Sequence, residues 1–373
     1  MSIVWPDRFR VSSLSFIAAK LKLPQNTLAS SSRHVASLTA RSPLFESDLG
    51  SVTQLTRESF PILKRLSIKR LLLAPGAIRE PHWHANASEL TYCVSGSALV
   101  TIFGDANAVS TFTIDAGQMF HAPSGSIHHI ESVGSDEAEL IVGFRHELPE
   151  DFSFHGALGA MTDSVLGNTY DLPASAFTAI PRDTESRYIV GREAEPHIPS
   201  AADDEDPLKF DLEAQAAPID SPAGSAKVAR SQVWPVLGDI SMYSLRVTTQ
   251  GMREPHWHPG TAEMGYVRSG RARMTVQDPD GSIDTYDLGP GDVYFIPRAY
   301  SHHIENTGEG EFHFLIFFDQ STPGDIGFRA SGSAFSPGVL AATLGVPVEE
   351  LPELPNTPED PLIVDRINPV DPI

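Results

Sequence analysis

The ten residues Glu80-Pro81-His82-Trp83-His84-Ala85-Asn86-Ala87-Ser88-Glu89 recur as Glu254-Pro255-His256-Trp257-His258-Pro259-Gly260-Thr261-Ala262-Glu263, 174 residues later. A further histidine follows each copy at the same offset: His128 in Pro123-Ser124-Gly125-Ser126-Ile127-His128, and His302 in Pro297-Arg298-Ala299-Tyr300-Ser301-His302. From about Leu38 the two halves align without a gap, so that Phe60-Pro61-Ile62-Leu63 faces Trp234-Pro235-Val236-Leu237, Gly96 faces Gly270 and Val190 faces Val364. The chain is a tandem duplication, and whatever it folds into it must build twice.

Side chains alternate along a strand, so His82 and His84 share one face while Trp83 points to the other. Residues 85–88 and their counterparts 259–262 read as turns, which lets Glu89 and Glu263 aim at the same focus from the next strand. Three neutral imidazoles and one carboxylate suit a divalent transition ion, whether Mn, Fe, Ni, Co or Zn. On an octahedral ion four protein ligands leave two positions open, as chemistry requires and a purely structural site does not. The expected ligands are His82, His84, Glu89 and His128 in the first half, and His256, His258, Glu263 and His302 in the second. His129 and His303 fall on the opposite face by alternation. His121, His146, His155 and His313 lack this spacing and read as packing or surface residues.

The runs between these motifs are short and β-rich, such as 67–73, 98–103 and 140–144. The 28 glycines and 30 prolines fit a turn-rich chain. Paired strands with frequent turns predict a sandwich or barrel in each half. Helical character is confined to 154–166 and 328–344, after each β region. The expected boundaries are an N-terminal arm over 1–37, one domain over 38–200 and a second over 201–373. The arm is rich in Arg and Ser and poor in acids, a composition resembling an organelle transit peptide. We read it instead as a segment packing on the other domain or on a neighbouring subunit. The acidic stretch 201–207 reads as a solvated linker.

A net charge of −21 argues against nucleic acid and anionic membranes as partners. No window approaches the length of a membrane span. The single cysteine, Cys93, excludes an internal disulfide and suits a reducing compartment, here taken as the cytoplasm. Within an apolar run beside a proposed ligand, it reads as a small buried core residue.

The duplicated metal pattern resembles the bicupins, and specifically the oxalate decarboxylases. The likeness is strongest in Pro75-Gly76-Ala77-Ile78-Arg79-Glu80-Pro81-His82-Trp83-His84, in Pro123-Ser124-Gly125 and in Gly270-Arg271-Ala272-Arg273-Met274-Thr275. The resemblance implies an all-β chain of two tandem cupin domains, each a double-stranded β-helix or jelly-roll barrel. It implies one manganese in each half, a homo-oligomer (trimer or hexamer), and cleavage of oxalate to formate and carbon dioxide that needs O2 as a co-catalyst without net oxidation. Arg79 and Arg253 match the arginine that faces substrate in this family, although strict alternation would turn Arg79 off the ligand face unless the strand bulges. Glu150 matches the catalytic acid of a mobile lid, in the altered setting Leu148-Pro149-Glu150-Asp151-Phe152-Ser153. Its counterpart is Gly324, which would leave one working site and one supporting site. Leu90 and Met264 stand where the family usually carries tryptophan. The alternatives are an oxalate oxidase, another metal-dependent dioxygenase or organic-acid enzyme whose pocket Leu90 and Met264 line, and a storage or ligand-binding bicupin.

Overall fold

The computed structural model describes residues 32–200, 205–357 and 360–371. Most of the expected arm and residues 201–204 of the expected linker lie outside the described residues. Residues 33–373 form one compact unit in which the chain builds two β barrels. In the first, a seven-stranded antiparallel sheet containing Glu89–Ser95, Ala138–Phe144 and Ser67–Leu73 faces a sheet containing Ala77–His84, Ile127–Ser132 and Ser97–Phe103. The second half repeats this arrangement, with Gly251–Trp257 and Glu263–Ser269 at the equivalent places.

Each barrel closes on its own core, and a third apolar cluster joins the two. Strand alternation explains the division. Leu140, Val142 and Phe144 enter the first barrel, whereas Ile141 turns outward to the joint, where Leu90, Trp234, Met264, Leu315 and Phe317 meet it. Such strands are buried on both faces and show little apolar alternation in the sequence. Gly143 lets the halves approach, because a Cβ there would lie 2.4 Å from the Phe317 ring. Phe317 is the residue 174 positions on, so hole and knob are duplicates of one position.

The duplication is also woven. Val35–Ser37 pairs antiparallel with Asp292–Ile296 of the second barrel, and its counterpart Lys209–Asp211 pairs with Gln118–Ala122 of the first. Each half therefore completes the barrel of the other. Around the first crossing, Arg33 pairs with both Asp278 (2.7 Å) and Asp284 (2.8 Å), while the His34 Nδ1–H donates to the Phe295 carbonyl. His34, Asp278 and Asp284 lie close enough to hold an ion, but the Arg33 guanidinium already pairs with both carboxylates and offsets one of their two charges.

The expected helical stretches break in two: Phe154–Gly159 and Asp163–Tyr170, then Phe328–Gly332 and Pro337–Leu344. Thr162 supplies the break in the first by accepting a hydrogen bond from the Val165 N–H as an N-cap. Among the described residues no helix is long and apolar enough to cross a membrane.

One exchange between the halves bears on the sites. Thr91 donates to Glu89 Oε1 at 2.7 Å, whereas its counterpart is Gly265; in the second half the donor is Tyr294, at 2.6 Å from Glu263 Oε1. Gly265 makes room for that ring, since a Cβ would sit 2.1 Å from it. Phe120, without a hydroxyl, occupies the position of Tyr294 in the first half. We expect Gly265→Thr to cost about 1–3 kcal/mol through overpacking. The double variant Gly265→Thr/Tyr294→Phe rebuilds the other half's solution and should recover much of that loss, as read from denaturant unfolding midpoints.

Candidate metal centres

Both expected ligand sets converge. In each, the three histidines and the glutamate are buried and offer ligand atoms lying within 4.8 Å of one another. In the first, His84 and His128 Nε2 lie 2.9 and 3.2 Å from Glu89 Oε2. In the second, His258 and His302 Nε2 lie 2.7 and 3.3 Å from Glu263 Oε2.

The outward nitrogens explain the convergence. His82 Nδ1 is 2.8 Å from the Glu80 carbonyl and His128 Nδ1 is 3.0 Å from the Ser126 carbonyl; His256 and His302 repeat this with the Glu254 and Tyr300 carbonyls. A carbonyl can only accept, so each Nδ1 carries the hydrogen and each Nε2 turns a lone pair toward the centre. His256 Nε2 is buried and has no hydrogen-bond partner. An inward lone pair with nothing to accept it, beside a carboxylate, is what a bound cation would satisfy. The residues present therefore fit a metal.

Electrostatics agree. Burial pushes the Glu89 carboxyl up, but the facing His128 and His84 imidazoles outweigh it and hold Glu89 well below the ordinary carboxylate range; Glu263 behaves alike. Burial, then the charges of Arg79 and Arg253, hold His82 and His256 well below the ordinary imidazole value, in the neutral form a metal requires. Burial also lowers His258, but hydrogen bonds to Asp325 and Glu263 override it and raise the group to about 9. Without a cation this second site holds a proton instead.

Arg79 faces inward. The strand pairing passes from His128↔His82 to Ile130↔Arg79, three residues against two, so a bulge containing Pro81 resets the alternation. The second half does the same from His256↔His302 to Arg253↔Ile304. Arg79 is buried, donates to the Tyr188 carbonyl at 3.2 Å and approaches Asp151 at 3.6 Å; Arg253 donates to the Leu362 carbonyl at 2.8 Å and pairs with Asp325.

Glu150 is the one expected catalytic residue that the structure does not bring to the site. Residues Asp151–Ser153 form a strand zipped onto His82–His84 rather than a free lid. Alternation along it turns the Asp151 and Ser153 side chains toward the ligand strand, although Asp151 stays at the surface with its side chain 25% exposed, while Glu150 and Phe152 face solvent; Phe152 stacks on Trp83 at 5.2 Å. The Glu150 N–H is bonded to Asn86 Oδ1 at 2.9 Å. The acid at the site is Asp151, whose Oδ1 accepts from His84 Nδ1 at 2.7 Å and whose Oδ2 accepts from Lys69 at 2.6 Å. Burial raises the Asp151 carboxyl, but Lys69 and His84 override it and hold it far below the usual range. Asp325 is its counterpart, 2.8 Å from His258 Nδ1, so both halves carry an acid here. The acid was legible one residue beyond Glu150, where the 174-residue offset pairs aspartate with aspartate.

A cavity of about 20 Å³ lies against the first centre, lined by Arg79, His82, His84 and Glu89 together with Lys69 and apolar residues including Leu71, Val142 and Phe144. Leu90 and Met264 line no part of it; both are fully buried in the joint between the barrels. His121 is also buried near that joint, edge-on to Trp234 at 6.5 Å. His155 pairs with Asp183, and His313 lies 2.9 Å from Ser244 Oγ. Cys93 is a buried free thiol that burial pushes up to about 12.

The cupin family profile matches residues 36–176 and 210–351. Oxalate decarboxylase OxdC of Bacillus subtilis is 30% identical over 289 residues, which span 74% of this chain and 73% of that protein. A probable oxalate decarboxylase of Arthroderma benhamiae is 25% identical over 317 residues, spanning 82% of this chain and 77% of that one. A solved structure of the Bacillus subtilis oxalate decarboxylase, concerned with its Mn(II) centres, superposes with a TM-score of 0.80 at 27% identity, covering 92% of this chain and 91% of its own. With two matched segments, two closed barrels and two convergent donor sets, the chain belongs to the cupin family and is a bicupin of the oxalate decarboxylase type.

Proposed function

We propose that this chain is a metal-dependent oxalate decarboxylase that converts oxalate to formate and carbon dioxide. The observation that carries the reading is the buried donor set His82, His84, Glu89 and His128, with the Arg79 guanidinium turned onto it by a bulge. In this reading these four residues hold one manganese and His256, His258, Glu263 and His302 hold a second. A bound manganese, with O2 as co-catalyst, supplies the one-electron chemistry that weakens the carbon–carbon bond of oxalate.

The protein's own residues do the rest. Arg79 offsets the charge of the dianion as a preorganised donor inside an apolar wall, where each charge counts for more than in water. Leu71, Val142 and Phe144 exclude water from that wall. Asp151 fixes the His84 ring through Nδ1 and so aims its Nε2. Held so far below the usual carboxylate range, Asp151 acts as an acceptor and not as a store of protons. Arg253 stands in the same relation to the second centre, so both sites belong to the working enzyme in this reading.

A self-associated enzyme of the cytoplasm completes the proposal. Exposed Met161, Val165, Phe335, Val339 and Leu344, on and between the helices after each barrel, support association, and the lone thiol supports the compartment.

Metal-loaded protein is expected to release formate from oxalate without net oxygen uptake. Peroxide formed with stoichiometric oxygen consumption would assign it as an oxidase instead. Asp151→Ala should lower metal occupancy or turnover about 10–100-fold, the usual effect of losing a group that orients a metal-bound histidine. Glu150→Gln, altering an exposed side chain, should leave both near parent values, and paired metal analysis and rate measurements compare the two variants. Because the metal-free second site keeps a proton on His258 up to about pH 9, a metal must displace it. Its affinity should therefore rise about tenfold per pH unit and keep rising above pH 7, as chelator competition at several pH values would read.

A further inference from the structure

The first barrel carries a buried cation that the sequence motifs do not account for. Lys69 lies on Ser67–Leu73 with the same parity as Leu71 and Leu73, which belong to the barrel core. Only 8% exposed, it lines the cavity beside the first metal centre, together with Arg79, His82, His84 and Glu89. Its ammonium stands 4.8 Å from the Phe144 ring centroid, and that ring packs edge-on to His84. A lysine placed on the core face of a strand is costly unless it is paired and used.

The second half has no lysine there; its cation is Arg230, which stands where the first half has Thr56 and hydrogen-bonds the counterpart of Lys69. That counterpart, 174 positions on, is Tyr243, a neutral buried side chain packed edge-on to Phe318. Arg79 and Arg253, Asp151 and Asp325, and all eight expected ligands are shared between the halves, so what sets the first cavity apart is a flexible ammonium in its lining, where the second half has a tyrosine hydroxyl bonded to Arg230.

We propose that Lys69 and Arg79 together form a two-cation cradle for the free carboxylate of a dicarboxylate bound in the first barrel, and that the second barrel lacks this selectivity. Asp151 already shows the geometry, because one carboxylate oxygen lies 2.6 Å from the lysine nitrogen and 3.6 Å from the arginine. An ammonium has three donors, and among the described residues the hydrogen bond made here goes to Asp151. A cavity of about 20 Å³ holds roughly one water, so a dicarboxylate enters only if part of the wall swings. The flexible four-carbon stem of lysine is suited to that movement, and the neighbouring apolar residues and metal ligands are packed.

The inference rests on the decarboxylase reading only for which dicarboxylate is natural, and its test keeps the two apart. Dissociation constants of oxalate and malonate, and of acetate and formate, would be measured by calorimetry on the metal-loaded full chain, its Lys69→Met variant and its Lys69→Arg variant. Losing Lys69 should weaken the dicarboxylates at least about tenfold while the monocarboxylates change little, and Lys69→Arg should restore most of the difference. The charge-balanced variant Lys69→Gln/Asp151→Asn leaves no unpaired carboxylate and keeps an acceptor for His84 Nδ1; with its metal content brought to the parent's, it should show the same selective loss. Equal weakening of both classes, or of neither, overturns the proposal. If the parent binds dicarboxylates with this selectivity but releases no formate, the decarboxylase reading falls and the cradle stands.

Discussion

The structure depends on holding three imidazoles and a carboxylate together, out of water, in each barrel. Buried ionisable groups are costly unless every polar atom is used. Here the backbone meets that demand: carbonyls two residues before His82, His128, His256 and His302 fix their outward nitrogens. His84 and His258 instead lean on Asp151 and Asp325. The remaining glutamate oxygen is satisfied by Thr91 in one half and Tyr294 in the other. What remains unsatisfied points to a common centre, which is how a fold prepares a place for a cation before any cation arrives.

The halves have diverged by compensation around that constant core. Thr91 with Phe120 answers Gly265 with Tyr294; Gly143 receives Phe317, its own duplicate; and the first strand of each half closes the barrel of the other. A change that would break a single barrel is absorbed because a neighbouring position moves with it. At the sites Lys69 with Thr56 answers Tyr243 with Arg230, which moves the cation off the strand that lines the cavity, and the functional difference between the barrels is sought there.

The covering segment is built differently from the lid that the family likeness implied. A mobile lid would bring Glu150 over the metal. In this chain the same segment pairs through its backbone with the ligand strand and stacks Phe152 on Trp83, so alternation delivers Asp151. Leu90 and Met264, pocket residues only under the alternative of another dioxygenase or organic-acid enzyme, face the joint because they follow an inward glutamate by one position. Both outcomes follow from parity along a strand whose pairing partner the sequence did not reveal.

The duplication, the barrel class, both ligand sets and the burial of Cys93 were legible from the sequence alone, because a repeat offset and a period of two are local properties of the chain. The inward turn of Arg79 was legible only as a condition, since a bulge is defined by the strand opposite and not by the residues that bulge. Tertiary structure alone decided that Asp151 rather than Glu150 contacts a ligand histidine, that Lys69 reaches the cavity and that the first strands cross over. Each of these depends on which distant segment lies alongside, and pairing partners dozens to hundreds of residues away are chosen by closure of the sheets and burial of the shared core.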